Sequence, residues 1–94
     1  MIRNWKYHDG KPIWSPTLND YIGAPSPPYW HCMIYKRESH ANEIERWLES
    51  NLDNVLFDAN VRFNSGDPAL FINIYDTDAA ALFYMTWVDI MVDL

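Results

Sequence analysis

The sequence predicts an α+β fold of the ferredoxin-like type, β-α-β-β-α, with an N-terminal hairpin or arm and an antiparallel sheet covered by two helices. In residues 55–63 every odd position is apolar, which is the period of a strand with one buried and one wet face. Residues 64–68 supply turn chemistry, and residues 70–74 resume the alternation, as in a hairpin. Apolar residues at helical spacing flank this hairpin on both sides. Its even positions, Asp58, Asn60 and Arg62, are predicted to be plain solvent surface.

The composition predicts one folded core. The chain has 94 residues, of which 49% are apolar and 16% aromatic, which suits one domain and excludes wholesale disorder. We expect residues 1–28 to form an N-terminal hairpin and a proline-rich arm packed on the body, and residues 29–94 to form a single α+β domain. The one cysteine, Cys32, and the short longest apolar run, residues 79–85, predict a cytoplasmic protein without internal disulfides or a membrane span.

The N-terminal part carries a weaker strand signal. Apolar and polar side chains alternate from Trp5 to His8, before Asp9-Gly10, which is a hairpin-turn signal. Pro12 lacks a backbone donor and restricts a second arm to an edge, so a short hairpin or an edge strand is expected. The prolines of residues 15–28 exclude a helix or a central strand and predict an extended arm. Three apolar residues would hold this arm to the body: Leu18, Tyr21 and Ile22.

Residues 29–37 form the next strand candidate. Trp30, Cys32 and Ile34 share one face, and the other face is also largely apolar, as in a central strand. In the ferredoxin-like order a last strand would pair with it, but only residues 91–94 follow the second helix. Either residues 5–14 fill this slot, or another chain does, as a strand-paired dimer or a partner recognised by β-addition.

The first helix follows Ser39, which is a suitable N-cap. Asn42, Glu43 and Glu45 enrich its first turns in groups that favour the positive end of the helix dipole. Asn and Asp in residues 51–54 favour a turn that ends it. Its buried stripe is predicted from apolar residues at helical spacing: Ile44, Trp47, Leu48 and Leu52.

The second helix is predicted over about residues 78–91, after the capping cluster Asp76-Thr77-Asp78. A helix that is apolar nearly all round is buried nearly all round. In so small a domain the sheet covers one face, and the other must meet the N-terminal arm, a second copy or a partner. The first face carries Ala79, Leu82, Phe83, Thr86 and Ile90, and the second carries Ala80, Tyr84, Trp87, Val88 and Met91.

The charge distribution indicates the kind of partner. The net charge of −6 combines +3 in residues 1–37, from five cations and two carboxylates, with −9 in residues 38–94, from two cations and eleven carboxylates. An acidic surface is attracted to basic patches on other proteins and repelled by nucleic-acid backbones; a solubilising face is the plain alternative. The predicted partner-binding residues are Tyr84, Trp87, Val88, Met91, Glu43, Glu45 and Glu49.

The residues suited to catalysis do not form a recognisable set. His31 and Cys32 are adjacent, but neighbours on a strand point to opposite faces and cannot share a proton. His8, His31 and His40 lack metal-ligand spacing, and the three glycines are isolated, without a phosphate-binding loop. We therefore expect no enzyme activity, no metal and no cofactor.

A nucleic-acid interface is the second alternative to a protein-binding surface. Aromatic and basic residues in the N-terminal third could stack on bases and neutralise phosphates, although the hairpin lacks the basic and aromatic pattern of RNA-binding sheets. We rank nucleic acid below protein as a partner. The residues concerned are Trp5, Lys6, Tyr7, Lys11 and Trp14.

Residues 71–83 run from a strand through the acidic cap at Asp76 and Asp78 to Phe83 on the second helix. This stretch resembles small phage-encoded accessory proteins. The resemblance implies a viral accessory protein of unknown target, which would act in a host cytoplasm. The leading functional hypothesis is a small acidic, non-enzymatic protein-binding module, and if the chain is viral, inhibition of a host nucleic-acid-handling or defence protein is its expected use. The rival is a homo-oligomeric assembly subunit, built as a homodimer or larger oligomer through the second face of the second helix.

Overall fold

The computed structural model describes residues 1–10, 13–22 and 27–92. Within these residues the chain forms a four-stranded antiparallel sheet, a separate two-stranded hairpin and two α-helices, so the predicted α+β class is confirmed. The elements are β1 (Arg3–His8), β2 (Ile13–Ser15), β3 (Asp20–Ile22), β4 (Tyr29–Tyr35), α1 (His40–Asn51), β5 (Phe57–Asn64), β6 (Asp67–Ile74) and α2 (Thr77–Trp87), followed by a 3₁₀ turn, Val88–Ile90.

The strands of the main sheet lie in the order β1-β4-β6-β5. The predicted hairpin of β5 and β6 is confirmed, with every residue of β5 paired to one of β6. Ser65 and Gly66 join the two strands with φ angles of 53° and 86°. Two consecutive positive φ angles define the tight turn whose twist matches that of paired strands.

β1 occupies the edge beside β4, where Tyr7 lies opposite Trp30. The slot next to the Trp30 strand is therefore filled from the N-terminal part of the same chain, although this strand ends at His8, well before residue 14. Of the two alternatives expected here, a short hairpin or an edge strand, the structure shows the edge strand, because β1 pairs with β4 whereas β2 pairs with β3. Pairing with an apolar central strand buries more surface than a short local hairpin does.

Between residues 13 and 22 the chain forms the hairpin of β2 and β3 where the prolines predicted an extended arm, and residues 23–26 of that arm lie outside the described residues. Pro16 lies in the turn directly after β2, where its fixed φ suits the turn and removes no ladder hydrogen bond. Asn19, with φ of 52°, returns the chain into β3. Leu18 is 66% exposed, so it does not fasten this segment to the body.

The core lies between the helices and one face of the main sheet. Trp30, Cys32 and Ile34 share this face, as predicted, and Cys32 and Ile34 are fully buried. Each helix has three buried residues, whose side chains pack against the sheet. The helices contribute Ala41, Ile44, Leu48, Ala79, Ala80 and Phe83, and the central strands contribute Cys32, Ile34, Leu70, Ile72 and Ile74.

The two helix starts differ from each other. The Asp76 carboxylate accepts a hydrogen bond from the backbone N–H of Ala79 at 2.9 Å, so the predicted cap of α2 is confirmed. Ser39 does not cap α1: its own φ and ψ are helical, at −58° and −30°, and its side chain makes no capping bond. A capping residue needs extended backbone to bring its side chain over the free amides.

α2 ends at Trp87, earlier than predicted, and the chain continues to a contact between Met91 and Ile2. These two residues form a parallel bridge, in which Ile2 N–H donates to Ile90 at 2.7 Å and Val92 N–H donates to Ile2 at 2.9 Å. The bridge lies beside the start of β1 and buries Ile2 completely. Of the helices in the described ranges, none has the length and apolar character that a bilayer crossing requires.

Candidate functional site

α2 and the first residue of the 3₁₀ turn that follows it carry a row of exposed large apolar side chains, which we call the α2 stripe. It consists of Leu82, Tyr84, Met85 and Val88, which are 47%, 42%, 75% and 38% exposed. Residues three or four positions apart lie on one side of a helix, so these side chains form one continuous surface. Exposed apolar residues that occur singly are ordinary, whereas a contiguous set indicates an interaction surface.

The α2 stripe differs from the partner-binding face that the sequence predicted. Tyr84 and Val88 belong to it, but Trp87 and Met91 pack against the core. Leu82 was assigned to the buried face and is exposed instead. Met85 was not assigned to either face, although its spacing of three from Leu82 and from Val88 was the available signal.

An apolar groove, the aromatic groove, adjoins the α2 stripe at Tyr84. Its volume is about 420 Å³. Trp5 lies stacked between Trp30 and Phe83, with ring centroids 5.1 and 5.7 Å away. The buried indole N–H of Trp30 has no hydrogen-bond acceptor among the described residues. The groove is lined by Trp5, Trp30, Thr77, Ala80, Ala81 and Tyr84.

The predicted carboxylates of α1 do not join the α2 stripe. Trp47 of α1 meets the rings of Phe83 and Trp87 on the side towards α2. Glu45 and Glu49 lie on the other side of α1, where they line a second groove of about 210 Å³ against β5, called the edge groove. Glu45 contacts the ammonium of Lys36 there. The third predicted carboxylate, Glu43, is exposed and lies 3.2 Å from His40 Nδ1.

The edge groove ends in exposed apolar side chains on β5. Phe57 and Ala59 pack against the core, as the alternation predicted, but Val61 and Phe63 are 54% and 78% exposed. Val55 precedes the strand and is 82% exposed. The odd face of this strand is therefore core only in its first half, because the packing of the helices does not extend to its second half.

The sheet face away from the helices carries a network of bonded polar groups. Nδ1 of His31 lies 2.9 Å from Oδ1 of Asn73, and Asn73 donates to Asp58 at 3.1 Å. The hydroxyl of Tyr75 also donates to Asp58, so Asp58 is not the plain solvent residue that was predicted. Burial, together with this hydrogen bond, raises the pKa of Tyr75 to about 12.

The candidate chemical groups lie apart. Cys32 is fully buried, and burial raises the pKa of its thiol far above the usual value. His31 lies on the opposite face, as predicted, bonded to Asn73. In the ranges that the structure describes, no three His, Cys, Asp or Glu side chains come together as a metal site would require.

The predicted nucleic-acid residues do not form one surface among the described side chains. The rings of Trp5 and Tyr7 both lie 5.1 Å from Trp30, on the side of the helices. Lys6 alternates with them and lies opposite His31 in the register, on the other face. Lys11 and the side chain of Trp14 lie outside the described residues.

Comparisons with protein-family models, with curated proteins and with solved structures find no match to this chain.

Proposed function

We propose that this chain is a small acidic, non-enzymatic protein-binding module whose partner carries a basic patch. The observation that carries the proposal is the continuity of the α2 stripe with the aromatic groove. A groove with aromatic walls, which adjoins the exposed α2 stripe at Tyr84, has the composition of the centre of a protein interface. Its occupant would be an apolar side chain or helix face of the partner.

The residue types support this assignment. Trp and Tyr dominate binding energy at interfaces because they bury a large area with few rotatable bonds. Met85 can adapt its unbranched side chain to the shape of a partner. A buried donor without an acceptor is unfavourable, and a partner carbonyl placed next to the indole of Trp30 would remove that penalty.

Charge supports the choice of a basic partner. Residues 38–94 carry a net charge of −9, including the exposed carboxylates Glu43, Glu49 and Asp89. Complementary charge speeds association and sets partner preference more than it adds affinity. Binding should accordingly weaken as ionic strength rises.

We also propose a ferredoxin-like chain path in which β1 takes the place of the last strand. Supporting it is the strand order, with β4 and β6 at the centre and β1 beside β4. The likeness of residues 71–83 to phage accessory proteins adds the proposal that the partner is a host protein. Proteins that handle nucleic acid present the basic patches that an acidic module would occupy.

The test is capture of basic proteins from a bacterial lysate at low salt by three immobilised forms of the chain. Met85→Asp places a charge in the α2 stripe, and Ser50→Asp places the same charge at an exposed position of α1 as a control. We expect a basic protein that binds the wild type and Ser50→Asp but not Met85→Asp, and that salt releases. Equal capture by all three forms, or no capture at low salt, contradicts the proposal.

Self-assembly is the second candidate function, because an apolar stripe on one helix also suits a symmetric dimer. Light scattering at micromolar concentration separates the two. A monomer excludes an obligate oligomer, whereas a dimer that Met85→Asp dissociates and Ser50→Asp does not would establish self-assembly through the α2 stripe.

A further inference from the structure

β5 presents a row of free backbone groups along one edge of the sheet. The carbonyl of Pro68 accepts a hydrogen bond from the N–H of Lys36 at 3.0 Å, so the backbone of Pro68 faces away from β5. Phe63 lies opposite Pro68. In an antiparallel pair, the backbone N–H and C=O groups of two opposite residues either bond to each other or both point away from each other. The N–H and C=O of Phe63 therefore point outwards, to the open edge.

The same direction repeats at every second residue of β5. Leu56 accepts a hydrogen bond from the N–H of Tyr75 at 2.7 Å, which confirms that even positions bond towards β6. Ala59, Val61 and Phe63 thus direct both their backbone groups outwards and their side chains to the helix side of the sheet. Among the described residues, no strand pairs with this edge.

We infer that an extended, basic segment of the partner protein adds to β5 as a fifth strand, with its side chains in the edge groove between α1 and β5. This inference rests on the proposed function as a protein-binding module and adds a second contact with the partner, at the edge of β5 and apart from the α2 stripe. Strand addition takes its affinity from backbone hydrogen bonds and its specificity from the pockets that alternate side chains enter.

The chemistry of the edge groove selects the occupant. Val61 and Phe63 are more than half exposed and would pack against apolar residues of the added strand. Glu49, on the rim, forms no hydrogen bond or ion pair with another described side chain, since Arg46 donates instead to the carbonyl of Asn42 at 3.3 Å. Lysine or arginine at positions facing α1 would pair with Glu49 and, beside Lys36, with Glu45.

A second copy of this chain fits the edge less well. Two copies paired through β5 would bring two sets of Glu45 and Glu49 to one junction, where like charges repel. The opposite edge of the sheet is less accessible, because Met91 and Val92 already bond to Ile2 beside the start of β1. Backbone direction therefore favours strand addition at β5, and charge favours a basic partner segment over a second copy.

The test uses the full chain labelled with ¹⁵N and a synthetic peptide of eight residues. Threonine occupies alternate positions of the peptide, with valine and lysine between them, and glutamate replaces lysine in a control peptide. We expect the lysine peptide to slow hydrogen exchange of the Ala59, Val61 and Phe63 amides by about tenfold or more. The Asn60 and Arg62 amides, already bonded to β6, should be unchanged, and the glutamate peptide should have no effect.

Two variants at one position separate strand addition from other contacts. Val61→Pro removes an outward N–H and leaves the β5–β6 hydrogen bonds intact, because proline at an edge position loses no ladder bond. Val61→Thr keeps the N–H and the β-branched shape as the control. Peptide affinity should fall about tenfold in Val61→Pro and persist in Val61→Thr, with the two chains melting at similar temperatures.

Three results overturn the inference: no protection of the outward amides, equal peptide affinity in Val61→Pro and Val61→Thr, or protection of the same amides by self-association without peptide. The proposed function fails separately. A protein partner that is lost with Met85→Asp but retained with Val61→Pro leaves a protein-binding module and removes strand addition. If the chain binds the peptide at β5 but captures no protein, the proposed function as a protein-binding module is contradicted instead.

Discussion

Tyr75 donates its phenolic hydrogen to the carboxylate of Asp58 across the β5–β6 pair. Asn73 donates to the same carboxylate at 3.1 Å, and His31 of β4 bonds Asn73 at 2.9 Å. The network therefore ties the edge strand β5 to the centre of the sheet through side chains as well as backbone. It fixes the strand whose outer edge we assign to partner binding.

The Tyr75 hydroxyl should ionise at unusually high pH. Its pKa is raised from 10.0 to about 12 by burial and by the hydrogen bond to Asp58. A pKa raised on folding means that the stabilisation is complete below about pH 10 and is lost as pH rises towards 12. We expect the tyrosinate absorbance that Tyr75→Phe removes to appear around pH 12.

The stability of Tyr75→Phe relative to the wild type tests the same hydrogen bond independently of the absorbance. Loss of one hydrogen bond to a carboxylate should lower the free energy of unfolding by about 1–2 kcal/mol. The difference between the two proteins should shrink as pH rises through this range. A difference that is independent of pH would show that Tyr75 acts only through packing.

The sequence predicted those features that depend on one residue or on a short alternation of apolar and polar residues. Ser65 and Gly66 mark the hairpin because few residues adopt positive φ without strain, and Asp76 marks the start of α2 because its carboxylate reaches the Ala79 amide. The alternation of Trp30, Cys32 and Ile34 likewise predicted which side of β4 is core. Each of these features is settled within a few residues of chain.

Features that depend on distant parts of the chain were not predictable. The alternation of β5 continues to Phe63 without indicating that the helix layer ends before Val61. α2 is apolar nearly all round, so the sequence could not distinguish exposed Leu82 from half-buried Trp87. For the strand beside β4, the sequence left two alternatives, residues 5–14 or another chain, because residues 91–94 are too few for a full strand. In the structure β1 is that strand.

Cys32 should be unreactive in the folded protein. It is fully buried and burial raises the pKa of its thiol, so neither access nor thiolate is available at neutral pH. Labelling with a disulfide reagent should proceed only as fast as the chain unfolds. Rapid labelling without denaturant would contradict this, and the rate in denaturant gives the reference for the open thiol.

The turn between β5 and β6 should require glycine at residue 66. Gly66 has φ of 86°, and a Cβ there would meet no atom within 4 Å, so the effect of Gly66→Ala comes from backbone strain alone. The free energy of unfolding of Gly66→Ala should be lower than that of the wild type by about 1 kcal/mol. Ser65→Asn, which suits the same turn, should be neutral or stabilising in the same denaturant titration, and a loss there equal to that of Gly66→Ala would contradict the turn assignment.

The ion pair of Arg3 with Glu38 should make stability depend on pH in acid. Arg3 donates to both carboxylate oxygens, at 3.1 and 3.3 Å. Partial burial of Glu38 raises its pKa, but the hydrogen bonds and charges of Arg3 and the Met1 ammonium outweigh burial and hold the pKa below its usual value of 4.5.

A depressed pKa stabilises the fold above the usual value and loses that contribution as pH falls through the lowered one. Glu38→Gln should therefore lower the free energy of unfolding by about 1 kcal/mol at neutral pH. The difference from wild type should close below about pH 4.5 in chemical unfolding. Arg3→Lys, which keeps the charge without the paired geometry, should fall between the two.

Truncation to alanine should destabilise the fold strongly at one position of α2 and hardly at all at another. Phe83 is fully buried and meets Trp5 and Trp47, so Phe83→Ala should lower the free energy of unfolding by about 3–5 kcal/mol through the cavity it leaves. Met85 is 75% exposed, and Met85→Ala should change that free energy by less than about 0.5 kcal/mol. Chemical unfolding of the two variants against wild type measures both values. A large loss in Met85→Ala would mean that the α2 stripe is covered in the free protein and is not available to a partner.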